Sequence, residues 1–456
     1  MIRPSTVAAA LLLAWVVAPA AAGQAPSSQG AAAGQAPHPV ADVWDKDHVS
    51  WPVPPLIRHA DVESRLRDVQ RAAPDLFHLE EIGKSVEGRS INQISFGTGP
   101  MHVVLWSQMH GDEPTATAAL FDLLESVRLH RAEAGLLRAF STLTVHLVPM
   151  LNPDGAERFQ RRNAQGLDIN RDALRLQTPE GRALKAFVDR VKAPVGFNLH
   201  NQNWRTEAGK TGQPASISLL SVAFDQAGTE SPGRLLTKKI CAVIRDALEP
   251  LAPGRIARYD EDYESRAFGD NITKWGTSVV LIETGAWPSD TPDPALVRLN
   301  FVAIVSALDA LASGRVEQAD KRRYETLPVN SSGLFYAIVR NATVVPGTGV
   351  APFTADVGIV VTRGVRTVDG QRTTRLTARI DDLGDLSTSG ALESIDATGL
   401  LAAPSWNPAA KAGDLVTQAD WDGRRPSRTI AVGEPADLVL LKKEDGGYRV
   451  VRAIRY

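Results

Sequence analysis

Two residues that suit a metal ion stand three positions apart in the stretch His110-Gly111-Asp112-Glu113. On a turn, this spacing lets an imidazole nitrogen and a carboxylate oxygen point at one spot. A catalytic zinc ion takes three protein ligands of this kind and keeps one position open for water. A histidine followed at this distance by a glutamate also occurs by chance in many chains. The prediction of a metal site therefore depends on what the rest of the sequence supplies.

Two further candidate groups close apolar runs later in the chain. His200 ends the run 195–200, and Glu283 follows the run 277–282. Continuous apolar runs of this length are typical of strands buried on both faces. A strand-end histidine alone is more often a packed residue than a ligand. A glutamate in the same position is costly to bury unless it lies in a cleft or is paired.

An arginine-rich stretch lies between these parts of the chain. Arg161, Arg162 and Arg171 fall within eleven positions that show little apolar periodicity. A guanidinium binds a carboxylate through two parallel hydrogen bonds. The stretch is either a solvated basic loop, which is the usual case, or a site for an anionic group.

The elements that must position these residues alternate between strands and helices. Residues 103–106 and 143–148 predict buried strands, and residues 116–127 predict a helix between them. Strand, helix and strand at this spacing predict an α/β layer fold. Loops at the carboxyl ends of such strands usually carry the chemistry.

Six motifs recur in order over roughly residues 57–311. They are the Gly83-Lys84-Ser85 to Gly88-Arg89 hairpin, His110-Gly111-Asp112-Glu113, Asn152-Pro153-Asp154-Gly155, Gly166-Leu167-Asp168-Ile169-Asn170-Arg171, the strand-end His200, and Ile282-Glu283-Thr284. Each motif alone is weak, but the ordered set is specific and resembles the zinc carboxypeptidases of the M14 family, of the carboxypeptidase A type. The resemblance implies a mixed central sheet flanked by helices and an enzyme that removes C-terminal residues from peptides.

The same resemblance implies how the metal site is made. His110, Glu113 and His200 would hold one zinc ion per chain, and Glu283 would be the general base. Asp168 would orient His110, as carboxylates commonly do for metal-bound imidazoles.

It also implies how the substrate is held. Asn170 and Arg171 would bind the terminal carboxylate of a peptide or acyl-amino acid. Either Arg161 or Arg162 would polarise the scissile carbonyl, with Arg161 slightly favoured as the catalytic residue and Arg162 left as a substrate-binding one.

The chain departs from the family pattern in places that bear on specificity. The aromatic residue that covers the substrate has no clear match, with Tyr263 the first candidate and Tyr259 the second. His200 is followed by Asn201-Gln202-Asn203, where many members carry a small polar residue. Side-chain preference therefore cannot be carried over from the family.

Three functions remain open on these residues. The first is a zinc metallocarboxypeptidase. The second keeps the metal but is an amidase or deacylase on acyl-amino acids or cell-wall peptides, which also end in a carboxylate. The third is a binding protein with an inactive site, and Glu283 argues against it because binding needs no base. A formal net charge of −2 argues against nucleic-acid binding.

The N-terminus predicts a secretory signal peptide over residues 1–22. Arg3 precedes an apolar core too short to span a bilayer, and Ala20-Ala21-Ala22 offers a cleavage site. Residues 23–50 are predicted to be a disordered leader. We expect a secreted or periplasmic protein with no membrane span after the signal is removed. Cys241, the only cysteine, excludes an intrachain disulfide and is expected to be a core residue.

The length of 456 residues suggests more than one domain. We assign a catalytic domain to residues 51–314, a charged linker to 315–332 and a β-sandwich-like domain to 333–456. Parts of this last domain resemble the small β-sandwich that flanks the barrel of amidohydrolases. The barrel is missing and no histidine follows His200, so amidohydrolase metal chemistry is excluded there. The domain is either a structural cap, which we favour, or a binding module.

Overall fold

The computed structural model describes residues 38–49, 52–260, 262–289, 291–346, 350–417 and 429–456. The predicted signal peptide and the first part of the predicted leader lie outside these residues. The helices are Pro39–Asp47 (α1), His59–Ala72 (α2), Thr115–Leu129 (α3), Ala134–Thr142 (α4), Pro153–Arg158 (α5), Pro179–Val191 (α6), Pro232–Leu248 (α7), Phe268–Lys274 (α8), Pro292–Ser313 (α9) and Arg322–Glu325 (α10).

The strands fall into a main sheet, a small two-stranded sheet and a C-terminal sheet. They are His78–Lys84 (β1), Ser90–Phe96 (β2), Met101–Ser107 (β3), Leu143–Val148 (β4), Val195–Asn201 (β5), Thr206–Ala208 (β6), Ile217–Ser221 (β7), Ile256–Arg258 (β8), Ser278–Thr284 (β9), Asn330–Ser332 (β10), Phe335–Val344 (β11), Phe353–Val368 (β12), Gln371–Gly384 (β13), Ala391–Asp396 (β14), Leu401–Pro404 (β15), Leu415–Thr417 (β16), Leu438–Glu444 (β17) and Gly447–Ile454 (β18).

The main sheet has the order β1-β2-β4-β3-β5-β9-β7-β8. Strands β4, β3, β5 and β9 are parallel, while β2 and β7 pair with this group in the antiparallel sense. The predicted mixed α/β sheet is therefore confirmed. Because the carboxyl ends of parallel neighbours meet at one edge, the candidate residues that follow β3 and those at the ends of β5 and β9 converge there.

Helices cover both faces of this sheet, and alternate residues of each strand pack against opposite layers. Phe197 on β5 and Ile282 on β9 lie in the core that α3, α7 and α9 cover. Trp106 on β3 and Leu281 on β9 lie in the smaller core beneath α6 and α8. The period of two therefore places Glu283 on the same face as Leu281, which is the α8 side of the sheet.

Helix α1 corrects the predicted leader. Its Trp44 is buried, and the indole Nε1 donates a 2.7 Å hydrogen bond to Asp122 on α3. Ala41, one turn earlier, is fully buried as well. The prediction of disorder up to residue 50 is therefore wrong for residues 39–47. Two apolar residues at helical spacing were enough to dock this segment despite its polar neighbours.

The expectation of no further membrane span did not take account of helix α9. By length and composition alone it could cross a bilayer. Most of its apolar window is buried inside the protein, where it packs against α3 and α7. The core helix of a large domain can be equally long and apolar, so length and composition alone do not distinguish it from a membrane span.

The C-terminal strands β11–β18 form a sheet of their own around a separate apolar core. The order is β13-β12-β11-β15-β17-β18-β16, with β14 paired to the first half of β11. The predicted all-β region is confirmed. Backbone hydrogen bonds join Ile380 on the edge strand β13 to Gly433 and Glu434, which lie just before β17. The edge strand therefore contacts the segment that leads into an interior strand of the same sheet.

The predicted linker, residues 315–332, is wrong. Tyr324 on α10 is fully buried, and its hydroxyl accepts a hydrogen bond from the Ser221 amide. Lys238 on α7 pairs with Glu325 at 2.8 Å, and β10 joins β6 in the two-stranded sheet. A buried aromatic residue, an ion pair and a strand pairing thus fix this segment, and residues 38–456 form one compact unit.

Candidate metal centre and substrate cavity

A cavity of about 940 Å³ opens at the carboxyl edge of the main sheet. It brings together most of the residues predicted from the sequence, although they come from segments far apart in the chain. Those lining it are His110, Glu113, Arg161, Asn170, Arg171, His200, Tyr263 and Glu283.

Three of these residues present donor atoms to one point. The Nδ1 atoms of His110 and His200 lie 2.8 Å and 2.7 Å from the two carboxylate oxygens of Glu113, and 3.1 Å from each other. All three side chains are buried. Zinc bound at its usual distances in a tetrahedral site would hold such donors roughly 3.3 Å apart. The three residues therefore fit a zinc ion with only a small outward adjustment.

The loop that carries His110 depends on a close approach of two motifs. A side chain at Gly111 would place its Cβ 2.0 Å from the carbonyl carbon of Gly155. Only glycine allows the backbones to meet there. The side-chain amide of Gln108 also donates to the carbonyl of Gly111 at 3.0 Å. These contacts fix the turn between β3 and α3, so that His110 and Glu113 face the same point.

The charges in this cluster favour a cation. Burial opposes protonation of His110, but the carboxylates of Glu113 and Asp168 outweigh it and raise the pKa of His110 to about 9. Burial lowers the pKa of His200 despite the same glutamate. Two imidazole nitrogens 3.1 Å apart cannot both carry protons facing each other. The cluster therefore combines one carboxylate with two imidazole nitrogens that face each other, a set of donor atoms that favours a bound cation.

Asp168 and Arg161 surround His110 on its other sides. Asp168 Oδ1 lies 3.2 Å from Nε2 of His110, and its Oδ2 accepts a 3.0 Å hydrogen bond from Arg161. The Arg161 Nη1 lies 3.1 Å from His110 Nδ1. Arg162 instead donates to the Gly166 carbonyl at 3.0 Å and does not line the cavity. The structure thus brings Arg161, and not Arg162, to the ligand atoms.

Glu283 lies beside His200 in the parallel register of β5 and β9. Its side chain is buried, and its Oε2 has no hydrogen-bond partner among the described residues. Burial, followed by the nearby charge of Glu113, holds the pKa of this carboxyl well above its usual range. A buried carboxyl oxygen without a partner at a cavity wall is available to a water molecule or a ligand, and a cation bound by the neighbouring cluster would favour the ionised form of this carboxyl.

Asn170 and Arg171 lie on the short helical turn Ile169–Arg171 and are held differently. The side-chain oxygen of Asn170 accepts a 2.9 Å hydrogen bond from the Phe268 amide at the start of α8. The Nε of Arg171 lies 3.2 Å from a carboxylate oxygen of Glu264. Arg171 therefore already pairs with a carboxylate inside the cavity, and Glu264 must yield or share it if an anionic ligand binds.

Both tyrosine candidates line the cavity. Burial, and then the charges of Glu283 and Glu113, raise the pKa of Tyr259 to about 12. This places the hydroxyl of Tyr259 in the field of the two carboxylates. Tyr263, which the sequence favoured, and Tyr259 therefore both stay candidates for the residue that covers a ligand.

Several lining residues were missed by the sequence analysis. Asn198 lies two residues before His200 on the same strand face, so the period of β5 could have revealed it. Asn330 comes from β10, beyond the predicted catalytic domain, and no local pattern marks it. A group of carboxylates on the segment after β8 was also missed: Asp260, Asp262, Glu264 and Asp270.

Comparison with known proteins gives a family match over part of the chain. Residues 62–228 match the family model described as zinc carboxypeptidase, a segment that includes His110, Glu113 and His200 but ends before Glu283. Carboxypeptidase E of Caenorhabditis elegans is 31% identical over 134 residues, which are 25% of this chain and 28% of that protein. Carboxypeptidase D of Homo sapiens is 30% identical over 196 residues, 31% of this chain and 14% of that protein. The chain thus spans less than a third of the length of either relative.

A metallo-carboxypeptidase from Burkholderia cenocepacia is among the solved structures that align with the chain. The alignment has 20% sequence identity and a TM-score of 0.45, and it covers 55% of this chain and 69% of that one.

Proposed function

We propose that this chain, whose residues 62–228 match the zinc carboxypeptidase family model, is an exported zinc metallocarboxypeptidase that hydrolyses the C-terminal peptide bond of peptides. One observation carries the proposal. The donor atoms of His110, Glu113 and His200 lie within 4.8 Å of one another, beside the unpaired carboxylate oxygen of Glu283. Two histidines, one carboxylate and an adjacent base are the groups that a hydrolytic zinc site needs.

His110 and His200, through Nδ1, and Glu113, through its carboxylate, would hold one zinc ion per chain. When bound, zinc polarises the scissile carbonyl and makes a neighbouring water molecule more acidic. Asp168 orients His110 from the opposite ring nitrogen, where it already lies 3.2 Å away.

Glu283 is proposed as the general base. Its Oε2 accepts the proton of the attacking water and later delivers it to the leaving amine. Arg161, whose guanidinium reaches the ligand cluster, donates hydrogen bonds to the oxyanion that develops on the scissile carbonyl. Because that guanidinium is already at the site, little reorganisation is needed during the reaction.

Asn170 and Arg171 are proposed to bind the terminal carboxylate of the substrate. Arg171 can form two parallel, charge-assisted hydrogen bonds to it, while Asn170 is fixed by the start of α8. Tyr263, or alternatively Tyr259, would cover the bound residue. This arrangement confines cleavage to the last peptide bond.

The alternative is a zinc-dependent amidase or deacylase acting on acyl-amino acids or cell-wall peptides. It remains open because Arg171 recognises only a carboxylate, which these substrates share. A cavity of about 940 Å³ favours a peptide, since it is larger than a single acyl-amino acid requires. Export, to a secreted or periplasmic location, is proposed from the predicted signal peptide over residues 1–22 alone.

Incubation of the purified protein with a mixed peptide library, followed by mass spectrometry, tests the proposal. The expected result is zinc-dependent loss of single C-terminal residues that a chelator abolishes. Cleavage confined to short acyl-amino acids would favour the alternative. Internal cleavage, or no zinc-dependent change, would overturn the proposed function.

A further inference from the structure

One wall of the cavity is built from the uncharged side-chain amides of four residues. We call this part of the lining the amide wall. The four residues lie next to the ligand cluster, since three of them follow His200 directly in the chain. Apart from Glu113 and Glu283, the charged lining residues belong to other segments, which carry Arg161, Arg171 and the carboxylates from Asp260 to Asp270. The amide wall consists of Asn201, Gln202, Asn203 and Asn330.

Asn330 is held in this wall from both sides. Its strand β10 pairs antiparallel with β6, with Asn330 opposite Ala208. Just before it, the Pro328 carbonyl accepts a 2.8 Å hydrogen bond from the Arg258 amide. The side-chain Nδ2 of Asn330 donates a hydrogen bond to the Oε1 of Gln202 at 3.3 Å. The segment that leads into the C-terminal sheet is therefore anchored at the mouth of the site.

Gln202 connects Asn330 to the catalytic strands. Its backbone amide donates to the Thr284 carbonyl at 2.9 Å, and Thr284 directly follows Glu283. Its side-chain Nε2 donates to the Ala215 carbonyl at 2.8 Å. With both ends of its amide group engaged, Gln202 fixes Asn330 relative to Glu283.

Two acceptor atoms of the wall remain available. The Oδ1 of Asn201 is buried without a hydrogen-bond partner among the described residues, while its Nδ2 donates to Thr115 at 2.7 Å. None of the described residues donates to the Oδ1 of Asn330 either. A buried acceptor such as the Oδ1 of Asn201 is normally paired, and Asn330 is half-buried at the cavity wall. Both oxygens suit a ligand that brings N–H donors and no charge. An extended peptide main chain has this chemistry.

We infer that Asn330 and Asn201 bind the main chain of the substrate residues that precede the scissile bond. The inference rests on the proposed function, which places the terminal carboxylate at Arg171 and the scissile bond at the ligand cluster. The amide wall is then left for the rest of the peptide. Asn330 becomes a specificity residue that the catalytic sheet does not supply, and the site is incomplete without the segment that joins it to the C-terminal sheet.

The test is a series of substrates of increasing length, from an acyl-dipeptide to a pentapeptide, with the same C-terminal two residues. For the wild type, kcat/KM should rise with length. Asn330→Ala should lose roughly fivefold in kcat/KM on the pentapeptide, mostly through KM, as expected for one hydrogen bond. It should stay within about twofold of the wild type on the acyl-dipeptide.

Ser332→Ala is the matched control, because Ser332 lies on the same strand but does not line the cavity. It should follow the wild type at every length. An equal loss on all lengths in Asn330→Ala, or no loss on any, would overturn the inference. Circular dichroism and zinc content, compared with those of the wild type, separate misfolding from an equal loss of activity in a folded variant. Failure of the proposed function differs from failure of this inference, because the wild-type protein itself would then release no C-terminal residue in the presence of zinc.

Discussion

The ligand cluster and the amide wall line the same cavity but are built in opposite ways. His110 and Glu113 follow β3, while His200 and Glu283 lie at the carboxyl ends of the neighbouring parallel strands β5 and β9, in direct register with each other. Asn330 instead meets Gln202 across 128 positions in the chain, through a two-stranded sheet outside the main one. The proposed reactive groups are thus fixed by the sheet, whereas the proposed surroundings of the substrate are assembled from connecting segments.

This difference separates chemistry from recognition within one site. Strand ends backed by two layers of helices hold side chains more precisely than loops do. Connecting segments tolerate sequence change, which lets specificity vary while the reaction stays the same. Changes on the sheet side should therefore reduce turnover, and changes on the other side should alter substrate binding.

Glu283→Gln is the largest expected effect and tests the sheet side. Glutamine keeps the size of the side chain but cannot accept the water's proton at neutral pH. We expect kcat to fall by roughly 10²–10⁴-fold, the usual range for a lost acid–base group, with substrate binding retained. Steady-state kinetics and calorimetric titration with a peptide measure both quantities. A variant that keeps wild-type kcat with normal zinc content would remove Glu283 from the reaction.

Arg171→Ala tests the carboxylate clamp on the recognition side and should have a smaller effect. It removes a charge-assisted contact, so we expect kcat/KM to fall roughly 10–100-fold, largely through KM. Arg162→Ala is the matched control, because Arg162 lies outside the cavity, and it should change kcat/KM little.

The same variant distinguishes a carboxypeptidase from a general amidase. Wild-type enzyme should prefer a peptide with a free C-terminal carboxylate to the same peptide ending in an amide, and Arg171→Ala should lose most of that preference. If the ratio of the two rates is the same in both proteins, the carboxylate is not recognised at Arg171. The proposed role of Arg171 in binding the terminal carboxylate would then be wrong, even if Glu283 proves essential.

The smallest effect expected is on stability, in the sheet itself. Burial, and then the charges of His102 and Arg190, lower the pKa of His146 on β4 to about 4. Between the lowered pKa and the ordinary histidine pKa of about 6.5, His146 is therefore protonated in the unfolded chain and neutral in the folded chain. The free energy of unfolding should fall by about 1–2 kcal/mol as the pH drops from 6.5 to 4, allowing for screening at this half-buried side chain.

Chemical denaturation across this pH range measures the effect in the wild type and in His146→Gln. The variant should show a shallower loss of stability, since glutamine does not titrate. Identical slopes in the two proteins would show that His146 is not buried in its neutral form, and that the sheet beneath the cluster is less tightly packed than the structure indicates.

The sequence predicted the cluster well because local patterns encode it. Apolar runs located β3, β5 and β9, and the residues that end them fell where parallel strands converge. The turn at Gly88, with φ of +82°, was likewise visible as a hairpin signal. Cys241 proved to be a buried core residue of α7, as expected from its helical surroundings.

The rest depended on contacts that no local pattern carries. Whether Arg161 or Arg162 faces the cavity is decided by the loop path, with Asp168 holding the first and Gly166 the second. Tyr324 fixes a charged segment that resembled a linker. Asn330 enters the site only because β10 pairs with β6. Each of these positions is set by tertiary packing and not by sequence periodicity.

The central claim is that His110, Glu113 and His200 hold one zinc ion, and metal content tests it most directly. Elemental analysis of wild-type protein, His200→Ala and the control His102→Ala, purified alike, gives the result. We expect one zinc ion per chain in the wild type and in His102→Ala, whose histidine contacts His146 away from the cavity. His200→Ala should lose most of its zinc while circular dichroism shows it folded. Full zinc occupancy in folded His200→Ala would contradict the account.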